Sequence, residues 1–133
     1  MSNKYVNFLI FAVFLIISGV IYQKFYRPPE IGAVTPSGNT VELNMKSLEN
    51  QWKFDPDIVR VKKGDRVVLH IYNEDTYDHG FAIEAFAVNS RLFPRRTTTI
   101  DFIASNIGEY PFYCSVACGE GHYRQTGIVI VEE

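Results

Sequence analysis

Cysteine and histidine are scarce in this chain of 133 residues, with two of the first and three of the second. Any disulfide would therefore be a single short one, and at most five side chains could offer sulfur or imidazole to a metal apart from the two methionines. There is no excess of basic charge, since 13 Lys and Arg stand against 15 Asp and Glu, and no basic patch. That removes the case for nucleic acid. The chain has no internal repeat, no low-complexity tract and no amphipathic helix of convincing length. It also lacks a Ser-His-Asp arrangement, a phosphate loop and paired catalytic carboxylates, so no hydrolytic or phosphate chemistry competes for attention.

Both cysteines and one histidine fall within nine residues, Cys114-Ser-Val-Ala-Cys118-Gly-Glu-Gly-His122. Thiolate and imidazole are soft and borderline donors that select copper or zinc over magnesium or calcium. Cys-x3-Cys-x3-His is not a common zinc spacing, so copper leads. A short disulfide is the competing reading; it would stabilise little by chain entropy and would leave the histidines unexplained. The motif lies between two strand-like runs, Tyr110–Tyr113 and Gly127–Val131, on a loop whose rigid neighbours can fix ligand geometry.

From Tyr5 to Tyr22 the chain carries no charge, and only Asn7 and Ser18 are strongly polar. Eighteen residues at helical rise span roughly 27 Å, enough for a bilayer core. Tyr5, Tyr22 and Tyr26 sit where interfacial aromatics belong, and Lys4, Lys24 and Arg27 flank the ends. A cleavable signal peptide is the rival, but no Ala-x-Ala site follows and aromatic bulk continues through Phe25-Tyr26. No cysteine lies near the segment, which excludes a lipoprotein anchor. The expectation is a single-pass anchor in the cell membrane over residues 1–26. The short N-terminal tail stays inside and the rest of the chain outside. Residues 27–39, with three prolines and two glycines, read as linker, and residues 40–133 as the folded domain. Beyond residue 40 there are 14 acidic and 10 basic side chains, a net charge of −4 that could steer a basic partner or simply confer solubility.

Inside that domain the hydrophobic period is two. Val59 and Val61, then Val67, Leu69 and Ile71, alternate with polar residues around a Lys62–Asp65 turn. Phe81, Ile83 and Ala85 follow, then Thr97–Phe102, Ile107–Tyr113 and Ile128–Val131. Short strands punctuated by Gly, Pro and Asp predict an all-β, antiparallel Greek-key sandwich preceded by one transmembrane helix. Pro56, Pro94 and Pro111 fit strand edges. Of the remaining histidines, His79 lies in a polar turn at a strand start, where it can be aimed at the cysteine loop. His70 sits opposite Val67, Leu69 and Ile71 and reads as a surface or packing residue.

The motifs Asp78-His79-Gly-Phe-Ala-Ile, Gly108-Glu-Tyr, Cys114-x3-Cys118-Gly-x-Gly-His122 and Gly127-Ile-Val-Ile-Val together resemble subunit II of cytochrome c oxidase. The resemblance covers roughly residues 50–133 and implies a cupredoxin sandwich with a dinuclear CuA centre of two copper ions. It implies that Cys114 and Cys118 bridge the metals, that His79 and His122 are terminal ligands, and that the Val116 carbonyl is an axial donor. The other axial position departs from the family: Gln125 stands where methionine is expected. Met1 and Met45 are too far in sequence to replace it locally. An amide oxygen is harder than a thioether and favours Cu(II), which predicts a lower reduction potential.

Gly80-Phe-Ala-Ile-Glu-Ala-Phe-Ala-Val is also similar to a strand of nitrosocyanin, a mononuclear red copper protein with one cysteine; the paired cysteines here favour the dinuclear reading. Most subunits II carry two transmembrane helices, whereas this chain carries one, as in some B-type oxidases. The family's aromatic cluster for accepting electrons is reduced to Trp52 and Phe54, and Trp52 reads equally as a core or edge aromatic. Burial behind Phe112, Tyr113 and Val116 would keep water from the metals, and Glu120 would face solvent or a partner.

The resemblance implies the electron-accepting subunit of a haem–copper oxidase. It would take electrons from cytochrome c or a small copper protein and pass them to haem in subunit I, where oxygen is reduced. The alternatives are a stand-alone membrane-anchored mononuclear cupredoxin, a carrier serving a reductase such as nitric oxide reductase, or a copper-delivery protein.

Overall fold

A computed structural model describes residues 3–26 and 35–133, which divide into a helical unit and a β-unit. Most of the expected linker, residues 27–34, lies outside the described residues. In the first unit, α1 (Lys4–Phe25) is a 22-residue helix with no buried residue. It is apolar on every side, and its length and composition suffice to cross a bilayer. The rings of Tyr22 and Tyr26 stack at its C-terminal end, 4.7 Å apart.

The β-unit is a sandwich of two sheets. Its strands are β1 (Thr40–Ser47), β2 (Phe54–Asp55), β3 (Ile58–Lys62), β4 (Arg66–Asn73), β5 (His79–Ile83), β6 (Val88–Leu92), β7 (Thr97–Ile103), β8 (Gly108–Tyr113) and β9 (Thr126–Glu132). One sheet has the order β2-β1-β4-β7 and the other β3-β9-β8-β5-β6. The all-β sandwich behind one apolar N-terminal helix is therefore as the alternating pattern predicts. It is not purely antiparallel, because β1 pairs with β4 and β3 pairs with β9 in parallel. After β2 the chain leaves the first sheet to make β3 in the second, then returns as β4 beside β1. A hydrophobic period of two carries no information about such a crossing.

Period-two burial in β4 places Val67, Leu69 and Ile71 in the core. Facing strands complete that core with Phe54, Phe81 and Phe112, whose ring centroids lie 5.1–5.6 Å apart. Phe54, named with Trp52 in the reduced electron-accepting cluster, is thus a fully buried core aromatic. Ala85 does not extend β5; it lies exposed in a 3-10 turn, Glu84–Phe86, ended by Ala87 at φ 54°. Ile107 is 53% exposed and precedes β8. Pro111 is tolerated inside β8 because that strand meets β5 at a single register position, Ala82 opposite Tyr113. Residues 35–39 join the β-unit: Ser37 donates its N–H to the Gly64 carbonyl at 2.8 Å and its hydroxyl to Asp65 at 3.0 Å.

The end of β1, the β4–β5 loop and the β8–β9 loop all meet at one end of the sandwich. Gly80 lets them meet so closely. A Cβ there would lie 2.4 Å from Ser115 Oγ and 2.7 Å from the Ser115 and Val116 nitrogens, so only glycine lets the cysteine loop rest on β5.

Candidate metal centre

The β4–β5 loop delivers His79. Asn73, buried at the end of β4, donates its side-chain amide to the carbonyls of Tyr77 and Leu92 and accepts the Asp75 N–H. This pins the loop so that Asp75 turns inward. Asp75 Oδ2 lies 2.7 Å from His79 Nε2, with both side chains out of solvent. The other ring nitrogen, Nδ1, faces Cys114 Sγ at 3.9 Å. A carboxylate on one imidazole nitrogen fixes the ring and its tautomer, leaving the other nitrogen to face a metal.

The β8–β9 loop delivers the rest. Cys114 and Cys118 are both free, with sulfurs 3.4 Å apart. Cys114 Sγ lies 3.2 Å from the Val116 carbonyl oxygen and accepts the Gly80 N–H at 3.3 Å. Cys118 Sγ lies 3.7 Å from His122 Nδ1 and 3.5 Å from Gln125 Oε1. The side chains of His79, Cys114 and Cys118 place their donor atoms within 4.8 Å of one another. All six expected donor residues are therefore gathered here, and each sulfur has its own imidazole and its own oxygen.

Water is kept from the inner side. Cys114, His79, Gln125 and Phe112 are buried, while Tyr113, Val116, Cys118 and His122 are half-buried or deeper. Burial pushes the Cys114 thiol up, but the hydrogen bonds from His79 and from the main chain at Gly80 and Val116 outweigh it and bring the group down to about 6. Cys118 is pushed up to about 12 by burial and by the thiolate beside it. Burial lowers His79, yet its bonds to Cys114 and Asp75 leave it raised on balance. Without a metal the pocket thus favours a Cys114 thiolate beside a protonated Cys118. Added positive charge would draw off the second proton.

Other residues singled out by sequence fall where expected or are reassigned. His70 bonds Thr99 Oγ1 at 3.0 Å on the outer face of β4, away from the sulfurs. Met45 is a core residue. Glu120 is exposed. Trp52, half-buried with φ 47°, donates its indole N–H to the Cys118 carbonyl at 3.2 Å and lies over Gly119 and Gly121. It is neither a core nor an edge aromatic but a cover on the ligand loop. Three polar residues of this end were missed by the sequence reading: Asp75, Ser47 and Asn50. Asp75 had a usable signal, an acidic residue four positions before a candidate ligand in a short polar turn. Ser47 and Asn50 had none, because they reach the site only through β1 and its turn.

The donor set fits copper: two thiolate sulfurs, two imidazole nitrogens and two neutral oxygens around one small volume. Residues 10–131 match the family described as cupredoxin-like domain. The chain is 30% identical over 80 residues to cytochrome c oxidase subunit 2 of Thermus thermophilus, covering 60% of this chain and 58% of that one. It is 32% identical over 102 residues to nitrous-oxide reductase of Stutzerimonas stutzeri, covering 74% of this chain and 16% of that one. The chain spans only about half the length of the subunit 2 relatives it matches, 58% and 47%.

Two solved structures share the fold. A chain of a heme-copper terminal oxidase dimer superposes with TM-score 0.61 at 18% identity over 98% of both chains. Auracyanin A, a blue copper protein of Chloroflexus aurantiacus, superposes with TM-score 0.60 at 20% identity, over 71% of this chain and all of that one.

Proposed function

The chain belongs to the cupredoxin-like domain family and carries a copper electron-transfer domain, and from that premise we propose that it is the membrane-anchored, electron-accepting subunit of a haem–copper oxidase. The observation that carries this reading is the pairing at the metal centre. Cys114 stands with His79 and the Val116 carbonyl, and Cys118 with His122 and the Gln125 amide oxygen, around two sulfurs 3.4 Å apart. Two half-sites joined through sulfur, each with one imidazole and one oxygen, support a dinuclear centre over a single ion.

When bound, the copper pair supplies a one-electron couple whose charge change is spread over two ions. The chain's residues keep reorganisation small. Asp75 locks His79, Gly80 holds the cysteine loop against β5, and the buried side excludes water. Six donor residues of this chain would hold the copper, and in this reading the domain transfers electrons while the chemistry lies in a partner.

In this reading residues 1–26 anchor the protein in the cell membrane and residues 40–133 lie on the outer side. The domain accepts electrons from cytochrome c or a small copper protein and passes them to haem in subunit I. Similarity to an oxidase subunit 2 supports that assembly. Copper analysis and electron paramagnetic resonance of the full chain in detergent test the reading. Two coppers per chain sharing one spin are expected. One copper with a four-line pattern would instead indicate a mononuclear carrier.

A further inference from the structure

Gln125 is fully buried, and its amide has two unlike ends, one accepting and one donating. Oε1 lies 3.5 Å from Cys118 Sγ, and Nε2 donates to Ser47 Oγ at 2.8 Å. Ser47, the last residue of β1, is itself 0% exposed. Reversing an amide end for end barely changes its shape, so packing alone does not choose which end faces the sulfurs. A cation beside the sulfurs does choose, because it attracts the oxygen and repels the N–H group. The N–H end must then find a buried acceptor or lose its hydration uncompensated. The Ser47 hydroxyl oxygen is that acceptor.

We propose that Ser47 is a positioning residue for the metal centre, holding Gln125 so that its amide oxygen, and not its N–H group, would face a metal beside the sulfurs. The inference rests on the copper reading but not on the number of coppers, since Gln125 is the oxygen donor beside Cys118 in either case. It also fits the wider role of this segment. Ser47 bonds Gln125, the Asn50 N–H bonds Asp75 at 2.8 Å, and Trp52 bonds the Cys118 carbonyl. The end of β1 and the turn after it thus tie together the β4–β5 loop and the β8–β9 loop, so a change at Ser47 is felt at a ligand and not merely at a strand end.

The test compares Ser47→Ala in two backgrounds, the native chain and Gln125→Met, using the full chain in detergent. Metal-free protein is read first, by nuclear magnetic resonance of the Gln125 side-chain amide. Protected amide protons are expected in the native chain, with exchange faster by about tenfold or more in Ser47→Ala. Fast exchange in the native chain overturns the proposal even if the variant fails to fold.

Copper-loaded protein is read next, by hyperfine splitting and midpoint potential. In the native background Ser47→Ala should keep its copper but shift both readings. In the Gln125→Met background, with no amide to orient, it should shift neither. Equal shifts in both backgrounds, or none in either, overturn the proposal. A native chain that takes up no copper sinks the copper reading instead; the metal-free amide measurement then decides the Ser47–Gln125 bond by itself.

Discussion

Asp75 Oδ2 lies 2.7 Å from His79 Nε2, and neither side chain is more than 1% exposed. The contact settles which imidazole nitrogen is available to a metal, because only Nδ1 remains to face Cys114. The carboxylate cannot swing away. Its Oδ1 accepts the Asn50 N–H at 2.8 Å, and the Asp75 backbone N–H donates to Asn73 Oδ1 at 2.9 Å.

Asp75→Asn keeps the shape and removes the charge that makes His79 a better donor. Copper affinity should fall by about 10–100-fold, measured by competition with a chelator, while the fold persists. An unchanged affinity would mean that the backbone alone orients His79.

Gly80→Ala tests how closely the cysteine loop must lie on β5. The new Cβ would meet the backbone nitrogens of Ser115 and Val116 at 2.7 Å, and backbone cannot yield as a flexible side chain can. Such overpacking costs about 1–3 kcal/mol or more, and the displaced loop carries Cys114 with it. Thermal unfolding of the metal-free protein should move down and copper uptake should drop together. Full copper uptake in a destabilised protein would separate loop placement from metal binding.

The sandwich was legible because its core strands alternate cleanly, as Val67, Leu69 and Ile71 show. The candidate site was legible in part: Cys114, Cys118 and His122 crowd one loop and only three histidines exist to complete it, whereas Val116 and Gln125 entered only through the resemblance. What was hidden depends on contacts between residues distant in the chain. The parallel pairing of β1 with β4 arises from a crossing between sheets that leaves no periodic trace. Ser47 meets Gln125 across 78 positions, and Trp52 meets Cys118 across 66. Neither has a local pattern to announce it. Phe54 is a similar case. The resemblance puts it with Trp52 in a reduced electron-accepting cluster, while strand alternation sends it inward against Phe81 and Phe112.

Copper affinity should rise with pH. Ligation needs both thiolates and a neutral imidazole. In the metal-free chain Cys114 is held down to about 6 and is ionised at neutral pH, whereas Cys118, pushed up to about 12, keeps its proton. Binding must expel that proton, so affinity climbs about tenfold per pH unit for each proton displaced. The slope is at least one above pH 6 and steepens below it, where Cys114 is protonated too. His79, lowered by its burial but raised on balance by Cys114 and Asp75, adds further proton release wherever its imidazole is still protonated. Calorimetry in buffers of different ionisation enthalpy counts the protons. Affinity that stays flat between about pH 7 and 9 would show that Cys118 is already ionised.

Replacing one sulfur at a time separates a bridged pair from a single-ion site. In Cys118→Ser, one thiolate, one imidazole and one carbonyl remain together as Cys114, His79 and Val116. In Cys114→Ser the survivors are Cys118, His122 and Gln125. If the sulfurs bridge two ions, either variant should fall from two coppers per chain to one and show a four-line resonance. The two should not bind equally well. Cys114 is the deeper sulfur, is favoured as thiolate, and accepts the Gly80 N–H, and its histidine is locked by Asp75. Cys118→Ser should therefore retain the tighter copper and Cys114→Ser the weaker. Two coppers still bound after either substitution would show that the sulfurs do not bridge, and the paired geometry would then need another explanation.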